Sequence, residues 1–425
     1  MYRELREGVP SDSAQLGFGY NLYPAAPVVH RFLCRALKAC ADDDRLHQYG
    51  TAADGHDRAL AAALAGAYLG CALDADQIVF TSGATEGIAL VIRFLAGRDT
   101  GLWLPAPCYY AFEQTPHRCG GTVLGRYRHD GVMDATGASA RHTALVEIFP
   151  NGVTGTLYVP PPVQVDFRVI DVVFLAGGSG PAPHMVTEHV RAALSAGIQD
   201  AAVLMTPSKD LCVPGIRSGL LISGHEPLIS AVRGEVFDRT ASSNPLAGQL
   251  VLLYLATLLL AEAADSGRPA AFCDRYRWLR AQYARYRVPA LPSETAFRAI
   301  VDHLDAMSSH FTTAFDLLGR HTEGLLETGR QLRPMAGYSL LPRLTAGPEH
   351  PDDIVGWVNA VGRQFALKLN PTVLFGGTSG SWQALYPGQI RIRVNLSVPH
   401  RDLLNTLDLL RTARENVVSP RREAA

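Results

Sequence analysis

The sequence predicts an α/β fold: a large domain with a mostly parallel sheet between helices, plus a smaller α+β domain built from both chain ends. Short apolar runs alternate with helical patterns through the middle of the chain, which is typical of parallel strands covered on both faces. The 425 residues, 47% of them hydrophobic, suffice for two cores. We expect a large domain at 46–285, an N-terminal arm with part of the small domain at 1–45, and a small C-terminal domain at 286–425.

Six apolar runs of strand length predict the sheet of the large domain: "QIVFTSG", "GLWLPAP", "TALVEIFP", "RVIDVVFL", "AAVLMTP" and "SGLLISG". The segment "ATEGIALVIRFLAG" predicts a helix directly after the first of them. In the small domain, "VGWVNAVGRQFAL" and "HRDLLNTLDLLRTARENVV" predict helices on either side of a strand, "QIRIRVNLSV". Since ligands of open parallel sheets bind beyond the carboxyl ends of the strands, the polar residues after each run are the candidates for a site.

Composition excludes several classes of partner. A net charge of −1 gives no reason to expect nucleic acid or a membrane surface as a partner. The apolar run from Leu246 to Ala263 is interrupted by Gln249 and Glu262, so a buried or interface helix is favoured over a membrane span. The seven cysteines are scattered without a CxxC pair or a His/Cys cluster, which predicts reduced thiols in a cytoplasmic protein without a metal site.

The stretch "TPSKDLCVPGIRSG" places Lys209 after a strand run, beside the hydroxyls of Thr206 and Ser208. Arg217 follows eight residues later and offers a planar fork that suits a phosphate. A lysine that is desolvated near another cation has a lowered pKa and can form Schiff bases. The alternative for Lys209 is an ordinary solvated loop lysine.

Three other strand ends carry candidates. Gly83, Ala84 and Thr85 open a helix and can present backbone N–H groups to an anion, although a plain helix cap is the alternative. Tyr109 follows a proline-stiffened loop, where it could stack on an aromatic ligand or be a half-buried structural side chain. Asp171 lies inside an apolar run and needs a cationic partner, either a protonated heterocycle on a ligand or a distant basic residue.

Pyridoxal 5'-phosphate uses all of these groups together, since it needs a lysine, a carboxylate for its ring nitrogen, an aromatic neighbour and an anion cup. In order and spacing, "SGATEGIAL", "PCYYAF", "DVVF" and "TPSKDLCVPGIRSG" resemble the corresponding motifs of fold-type I pyridoxal-phosphate enzymes of the class I/II aminotransferase family. The resemblance covers about residues 20–400 and makes 46–285 the cofactor-binding domain.

The resemblance implies specific roles. Lys209 would form the aldimine with the cofactor and carry the proton, Asp171 would pair with the pyridine nitrogen, and Tyr109 would stack on the ring. The phosphate would be held by the backbone of Gly83 and Ala84 and by the side chains of Thr85, Thr206, Ser208 and Arg217.

The same resemblance implies a homodimer with shared active sites and a small amino-acid substrate. Tyr49, in "HQYGTAADG", would reach the partner's phosphate, as would Ser242 or Ser243 in "TASSNPLAGQ". Arg393, in "IRVNLSV", would bind the substrate carboxylate, with Arg391 as the runner-up or as the receptor of a second acidic group. Tyr20 is a further candidate beside the substrate.

Two positions depart from the family pattern. The family's Asn-Pro-x-Asn-Pro-Thr-Gly loop reads "FPNGVTG" here, so that Gly152 replaces the asparagine that bonds the cofactor's phenolic oxygen, and Asn151 lies one place early. Phe174 replaces the tyrosine that normally follows the aspartate. The resemblance favours an aminotransferase, whereas these two departures leave open a lyase or synthase (β- or γ-elimination, replacement or cyclisation) or an oxidase of secondary metabolism.

A regulator with an aminotransferase-like sensor domain is a non-enzymatic alternative. It would need a DNA-binding module with a basic recognition helix ahead of the large domain. Residues 1–45 instead contain "FGYNLYPAAP", which resembles the family's N-terminal arm, so an enzyme is the stronger expectation.

Overall fold

The computed structural model describes residues 4–47, 49, 52–172, 174, 183–240, 244–268, 270–327, 333–345, 353–376 and 384–416. Within these residues, eleven helices longer than one turn occur, and they are α1 Pro27–Asp42, α2 Ala52–Leu69, α3 Ala84–Ala96, α4 Tyr110–Cys119, α5 Pro183–Ala193, α6 Glu226–Thr240, α7 Pro245–Asp265, α8 Ala271–Arg285, α9 Glu294–His321, α10 Ile354–Phe365 and α11 His400–Asn416.

The strands are β1 Ala14–Gln15, β2 Ile78–Thr81, β3 Thr100–Pro105, β4 Val123–Tyr127, β5 Met133–Ala135, β6 His142–Phe149, β7 Phe167–Val172, β8 Ala201–Met205, β9 Gly219–Ser223, β10 Ser339–Leu340, β11 Leu367–Lys368 and β12 Val394–Asn395. All six strands predicted for the large sheet are present. The short strands β4 and β5 were not predicted, since Gly125 and Arg126 interrupt the first and the second spans only "MDA".

Eight strands form one sheet in the order β2-β9-β8-β7-β6-β3-β4-β5. The pairs from β8 through β7, β6 and β3 to β4 are parallel, whereas β9 and the edge strand β5 run antiparallel to their neighbours. This mostly parallel sheet between helices confirms the predicted fold class. The carboxyl ends of β7 and β8 consequently lie side by side, which brings the residues after them together.

The sheet is buried on both faces because its strand residues alternate between two apolar clusters. In β8, Val203 and Met205 belong to the cluster that also holds α7 and α9, whereas Ala202 and Leu204 pack with α3 and α6 on the opposite face. This period of two explains why the strands read as continuous apolar runs in the sequence.

Helix α7 is the run that the sequence marked as a membrane candidate. It is long and apolar enough to span a bilayer, but 83% of its most apolar window is buried inside the protein. Its first turn is capped by the Asn244 side chain, which accepts hydrogen bonds from the backbone N–H groups of Leu246 and Ala247. The helix is a core element, as the interrupting polar residues predicted.

The chain ends supply two further sheets of two strands each, β1 with β11 and β10 with β12. The predicted strand "QIRIRVNLSV" is shorter than expected: β12 spans Val394–Asn395, while Arg391 and Ile392 make isolated bridges to two other segments. These contacts join the N-terminal arm to the C-terminal part of the chain. The domain limits at 45 and 285 stay a prediction.

Candidate active site

Asp171 is a buried carboxylate near the end of β7. It pairs in register with Leu204 of β8 and is 3% exposed. Its Oδ1 atom has no hydrogen-bond partner among the described residues. Burial raises the pKa of this carboxyl to about 7, and the nearby positive charge of Lys209 opposes the rise. The carboxylate thus lacks the partner that its position in an apolar strand demands.

Lys209 lies four residues beyond β8 and close to Asp171. Its Nζ donates a hydrogen bond to the backbone oxygen of Gly19 at 2.7 Å, and its own carbonyl accepts one from the Asn21 side chain at 2.9 Å. Burial lowers the pKa of Lys209 to about 8, assisted by the charges of Arg393 and Arg217 and opposed by Asp171. A substantial fraction of the amine is therefore neutral, and nucleophilic, near pH 8.

Arg217 and Gly83 form a candidate anion cradle at the start of α3. Arg217 adopts the left-handed backbone conformation at φ 55°, which is uncommon outside glycine, and its Nη2 donates to the carbonyl of Ser82 at 3.1 Å. A Cβ on Gly83, whose own φ is +82°, would lie 2.5 Å from that Nη2. Only glycine lets the guanidinium approach the helix N-terminus, where free N–H groups favour an anion.

The hydroxyls predicted for the same cradle lie at its edges. Thr85 Oγ1 is 3.2 Å from the hydroxyl of Tyr109, so the first turn of α3 and the loop after β3 meet here. Thr206 Oγ1 is 2.8 Å from Ser208 Oγ and also 2.8 Å from the backbone oxygen of Ser218, next to Arg217. Both of these hydroxyls are buried. Tyr109 packs against the apolar cluster on the α3 face, which is also the face of Asp171.

Arg393 is a buried arginine near Gly19, the residue that Lys209 contacts. Its Nη2 donates to Ser339 Oγ at 2.6 Å and to the backbone oxygen of Gly152 at 3.1 Å. Its Nε has no partner among the described residues, and a Cβ on Gly19 would lie 3.7 Å from Nη1. Burial lowers the pKa of Arg393, yet a guanidinium stays charged, so it is available to a carboxylate through Nη1.

Three other candidate residues make contacts with their own chain. Arg391 donates from Nε and Nη2 to the Gln389 side chain and from Nη1 to the backbone of Leu341. The Asn151 side chain donates to the carbonyl of Pro107 and accepts from the backbone of Val153 and Thr154. These bonds hold the loop together, and whether Asn151 also contacts a ligand stays a prediction. Tyr20 is 45% exposed, and its ring packs edge-on to Phe18.

Of the residues predicted to serve a partner subunit, the structure describes Tyr49. Tyr49 is 81% exposed, as a side chain that reaches another chain would be. Ser242 and Ser243 lie outside the described residues. At the two departures from the family pattern, Gly152 offers its carbonyl to Arg393, and the Phe174 ring packs edge-on to Tyr338.

The sequence did not point to the N-terminal contacts of the site. Gly19 and Asn21 come from the arm, where Asn395 Nδ2 donates to the carbonyls of Phe18 and Tyr20. Ser339, the partner of Arg393, comes from β10. The buried Asn395 in an otherwise apolar strand was the available signal, since a buried amide requires partners.

Comparison with known proteins finds similarity to aminotransferases. The family model described as aminotransferase class I and II matches residues 13–145, whereas curated protein sequences give no match. That match covers about a third of the chain, and the fold as a whole is similar to that of solved aminotransferases. A probable N-succinyldiaminopimelate aminotransferase from Thermus thermophilus superposes with a TM-score of 0.64 at 18% identity, covering 97% of each chain.

Two further solved structures are similar to this chain. An aspartate aminotransferase from Rhodobacter sphaeroides has a TM-score of 0.63 and 16% identity, covering 96% of this chain and 93% of its own. Escherichia coli YbdL, described as having a methionine aminotransferase function, has a TM-score of 0.64 and 16% identity, covering 97% and 95%. At these identities the likeness establishes the fold, and the substrate has to be argued from the site.

Proposed function

We propose that the chain binds pyridoxal 5'-phosphate through Lys209 and transfers the amino group of an α-amino acid. The observation that carries the proposal is the buried Asp171, whose Oδ1 lacks a partner among the described residues and lies near a lysine with a lowered pKa. A protonated pyridine nitrogen would supply the missing donor and positive charge. The residues present therefore fit this cofactor.

The other groups of the site match the rest of the same molecule. Arg217, Thr85 and the first N–H groups of α3 would hold the phosphate, together with Thr206 and Ser208. Tyr109 would contact the ring from the face that it shares with Asp171. When bound, pyridoxal phosphate supplies an electron-withdrawing ring that stabilises negative charge on the substrate's α-carbon.

The chain's own residues then bind the substrate and move the proton. Arg393 would hold the amino acid's carboxylate through Nη1, because both hydrogens of Nη2 are engaged by Ser339 and Gly152. Lys209, with a pKa of about 8, would take the proton from the α-carbon and return it, since a base is most effective when its pKa lies near the working pH. Asp171 would keep the ring nitrogen protonated.

A second candidate is elimination, replacement or cyclisation at the β- or γ-carbon, or oxidation, on the same cofactor. It is favoured by the side of the site at Gly152 and Phe174, where a carbonyl and a phenyl ring replace two polar donors of the family pattern. Fewer donors to the cofactor's phenolic oxygen change how strongly the bound molecule holds its proton.

The proposal extends to a cytoplasmic homodimer in which the exposed Tyr49 serves the partner's site.

The test combines borohydride reduction with product analysis. Protein mixed with pyridoxal phosphate and then reduced should carry the cofactor's mass on the peptide that contains Lys209. Lys209→Ala should carry none, whereas Lys368→Ala, whose Nζ also bonds a backbone carbonyl, should behave like wild type. An adduct retained in Lys209→Ala would refute the assignment.

Incubation with each amino acid and a keto acid then separates the two candidates. A new amino acid formed from the keto acid supports amino transfer. Release of a β- or γ-substituent, ring closure or consumption of oxygen without a new amino acid supports the second candidate and contradicts the first.

A further inference from the structure

Tyr338 carries a buried hydroxyl that has no partner. The residue is fully buried, directly before β10, and its hydroxyl oxygen makes no hydrogen bond to any described residue. Buried hydroxyls almost always find a partner, because an unpaired one loses its hydrogen bonds to water without replacement. The unpaired atom therefore calls for a ligand or for a role of its own.

Packing fixes the position of the Tyr338 ring. The ring meets Phe174 edge-on with centroids 5.1 Å apart, and Phe311 from another side at 6.0 Å. Its backbone oxygen accepts a hydrogen bond from the N–H of Leu396. A Cβ on the preceding Gly337 would lie 2.6 Å from the Phe174 ring, so the backbone also abuts that phenylalanine. The ring is thus held against Phe174, three residues after Asp171 in the sequence.

The second neighbour of Tyr338 is Arg393. Burial lowers the pKa of Arg393, and among the titratable groups that affect this pKa, Tyr338 has the largest opposing influence. Burial raises the pKa of Tyr338, so the hydroxyl keeps its proton and can donate it in a hydrogen bond. Arg393 itself has an unpartnered Nε, while the neighbouring Ser339 binds its Nη2. The Tyr338 hydroxyl and the Arg393 guanidinium thus each have an atom without a hydrogen-bond partner among the described residues.

We propose that the Tyr338 hydroxyl is a ligand-binding donor of this site and contacts an anionic oxygen bound between Arg393 and Phe174. The inference rests on the proposed function, which supplies two such oxygens: the carboxylate of the substrate and the phenolic oxygen of pyridoxal phosphate. Tyr338, directly before β10, would then provide a hydroxyl that residue 174 lacks.

A matched control exists in Tyr283 of α8. Its hydroxyl is also buried without a described partner, but it contacts neither Arg393 nor Phe174 within the described residues. Tyr338→Phe and Tyr283→Phe each remove one unpaired hydroxyl and keep the ring. Both variants should melt within a few degrees of wild type in the absence of ligand.

The experiment measures two properties of the pyridoxal-phosphate-loaded protein. Affinities for maleate and 3-phenylpropionate, two carboxylates without an amino group, are determined by titration. A pH titration of the cofactor's absorption band is recorded on the same samples. Tyr338→Phe should weaken carboxylate binding about ten- to a hundred-fold if the carboxylate is the acceptor. If the phenolic oxygen is the acceptor, Tyr338→Phe should instead raise the pH midpoint of the cofactor's absorption band by about one unit or more.

The outcomes separate this inference from the proposed function. If Tyr338→Phe matches Tyr283→Phe in both measurements, Tyr338 is a core side chain and the inference is wrong, while cofactor binding stands. If Tyr338→Phe unfolds, its hydroxyl is bonded within the chain, which also contradicts the inference. If wild type shows no absorption change and no reduced adduct on Lys209, the proposed function itself fails.

Discussion

Two buried aspartates, Asp57 and Asp171, contrast within one molecule. Both are almost fully buried, at 2% and 3% exposure. Asp57 pairs with Arg45, and both of its oxygens accept hydrogen bonds from Gln249 at 2.9 and 3.0 Å. Asp171 has an oxygen without any described partner. The Asp57 carboxylate is thus satisfied by partners from the chain itself.

The pKa shifts of Asp57 and Asp171 share burial as their main cause but differ in the groups that oppose it. Burial raises the pKa of both carboxyls; at Asp57 the guanidinium of Arg45 and the amide of Gln249 oppose the rise, whereas at Asp171 the charge of Lys209 is the opposing influence. Asp57 thus ties α2 to α7, and its partners come from the chain. Under the proposed function, the protonated cofactor nitrogen would be the partner of the Asp171 oxygen that no described residue bonds.

The largest expected effect is on stability at Asp57. Asp57→Asn should lower the free energy of unfolding by about 3–5 kcal/mol, because it leaves the buried Arg45 without its main counter-charge. Asp171→Asn, the same chemical change, should leave ligand-free stability unchanged or raise it. Urea denaturation of both variants provides the measurement. Equal losses would remove the distinction between the two carboxylates.

The second prediction concerns kcat, which should depend on Asp171 and not on Asp57. Asp171→Asn should lower kcat about a hundred-fold, since the ring nitrogen would lose the charge that stabilises its protonated form. Asp57→Asn should retain kcat per folded molecule, as determined by active-site titration at a temperature where the variant is folded. Wild-type kcat in Asp171→Asn would rule out its proposed partner.

The third prediction concerns the pH dependence of ligand-free stability. The folded pKa of Asp171, about 7, lies above its unfolded value, so its contribution to stability is complete below pH 3.8 and is lost as pH rises through 7. Relative to wild type, Asp171→Asn should therefore gain about 2 kcal/mol in unfolding free energy between pH 5 and pH 8. A difference that is constant over this range would contradict the raised pKa.

The smallest effect tests the anion cradle. Arg217→Lys should weaken pyridoxal-phosphate binding about ten-fold, because lysine cannot reproduce the planar fork beside Gly83. Arg233→Lys is the control, since Arg233 makes comparable contacts at Asp76, on a surface that the proposal does not use. Equilibrium dialysis against the cofactor measures both affinities. An unchanged affinity in Arg217→Lys would remove this arginine from the phosphate site.

The part of the site that lies at the carboxyl ends of the sheet strands could largely be predicted from the sequence. Strand runs mark where β7 and β8 end, and parallel pairing then places Asp171 and the residues around Lys209 together. Gly83 was a candidate because small residues at a strand–helix turn admit an anion. Arg391 shows the limit of this reasoning: it lies two residues from Arg393, yet its guanidinium binds Gln389 and Leu341.

By itself, the sequence determined the α/β architecture, the order of the strands along the chain and the identity of the residues at their ends. These follow from local periodicity and from the geometry of parallel sheets. Tertiary structure alone decided that Gly19 meets Lys209 and that Ser339 and Gly152 bind Arg393. It also decided that the Tyr338 ring packs on Phe174 and that its hydroxyl has no hydrogen-bond partner among the described residues. Those contacts join segments far apart in the chain, where a period of two or 3.6 residues carries no information about the partner.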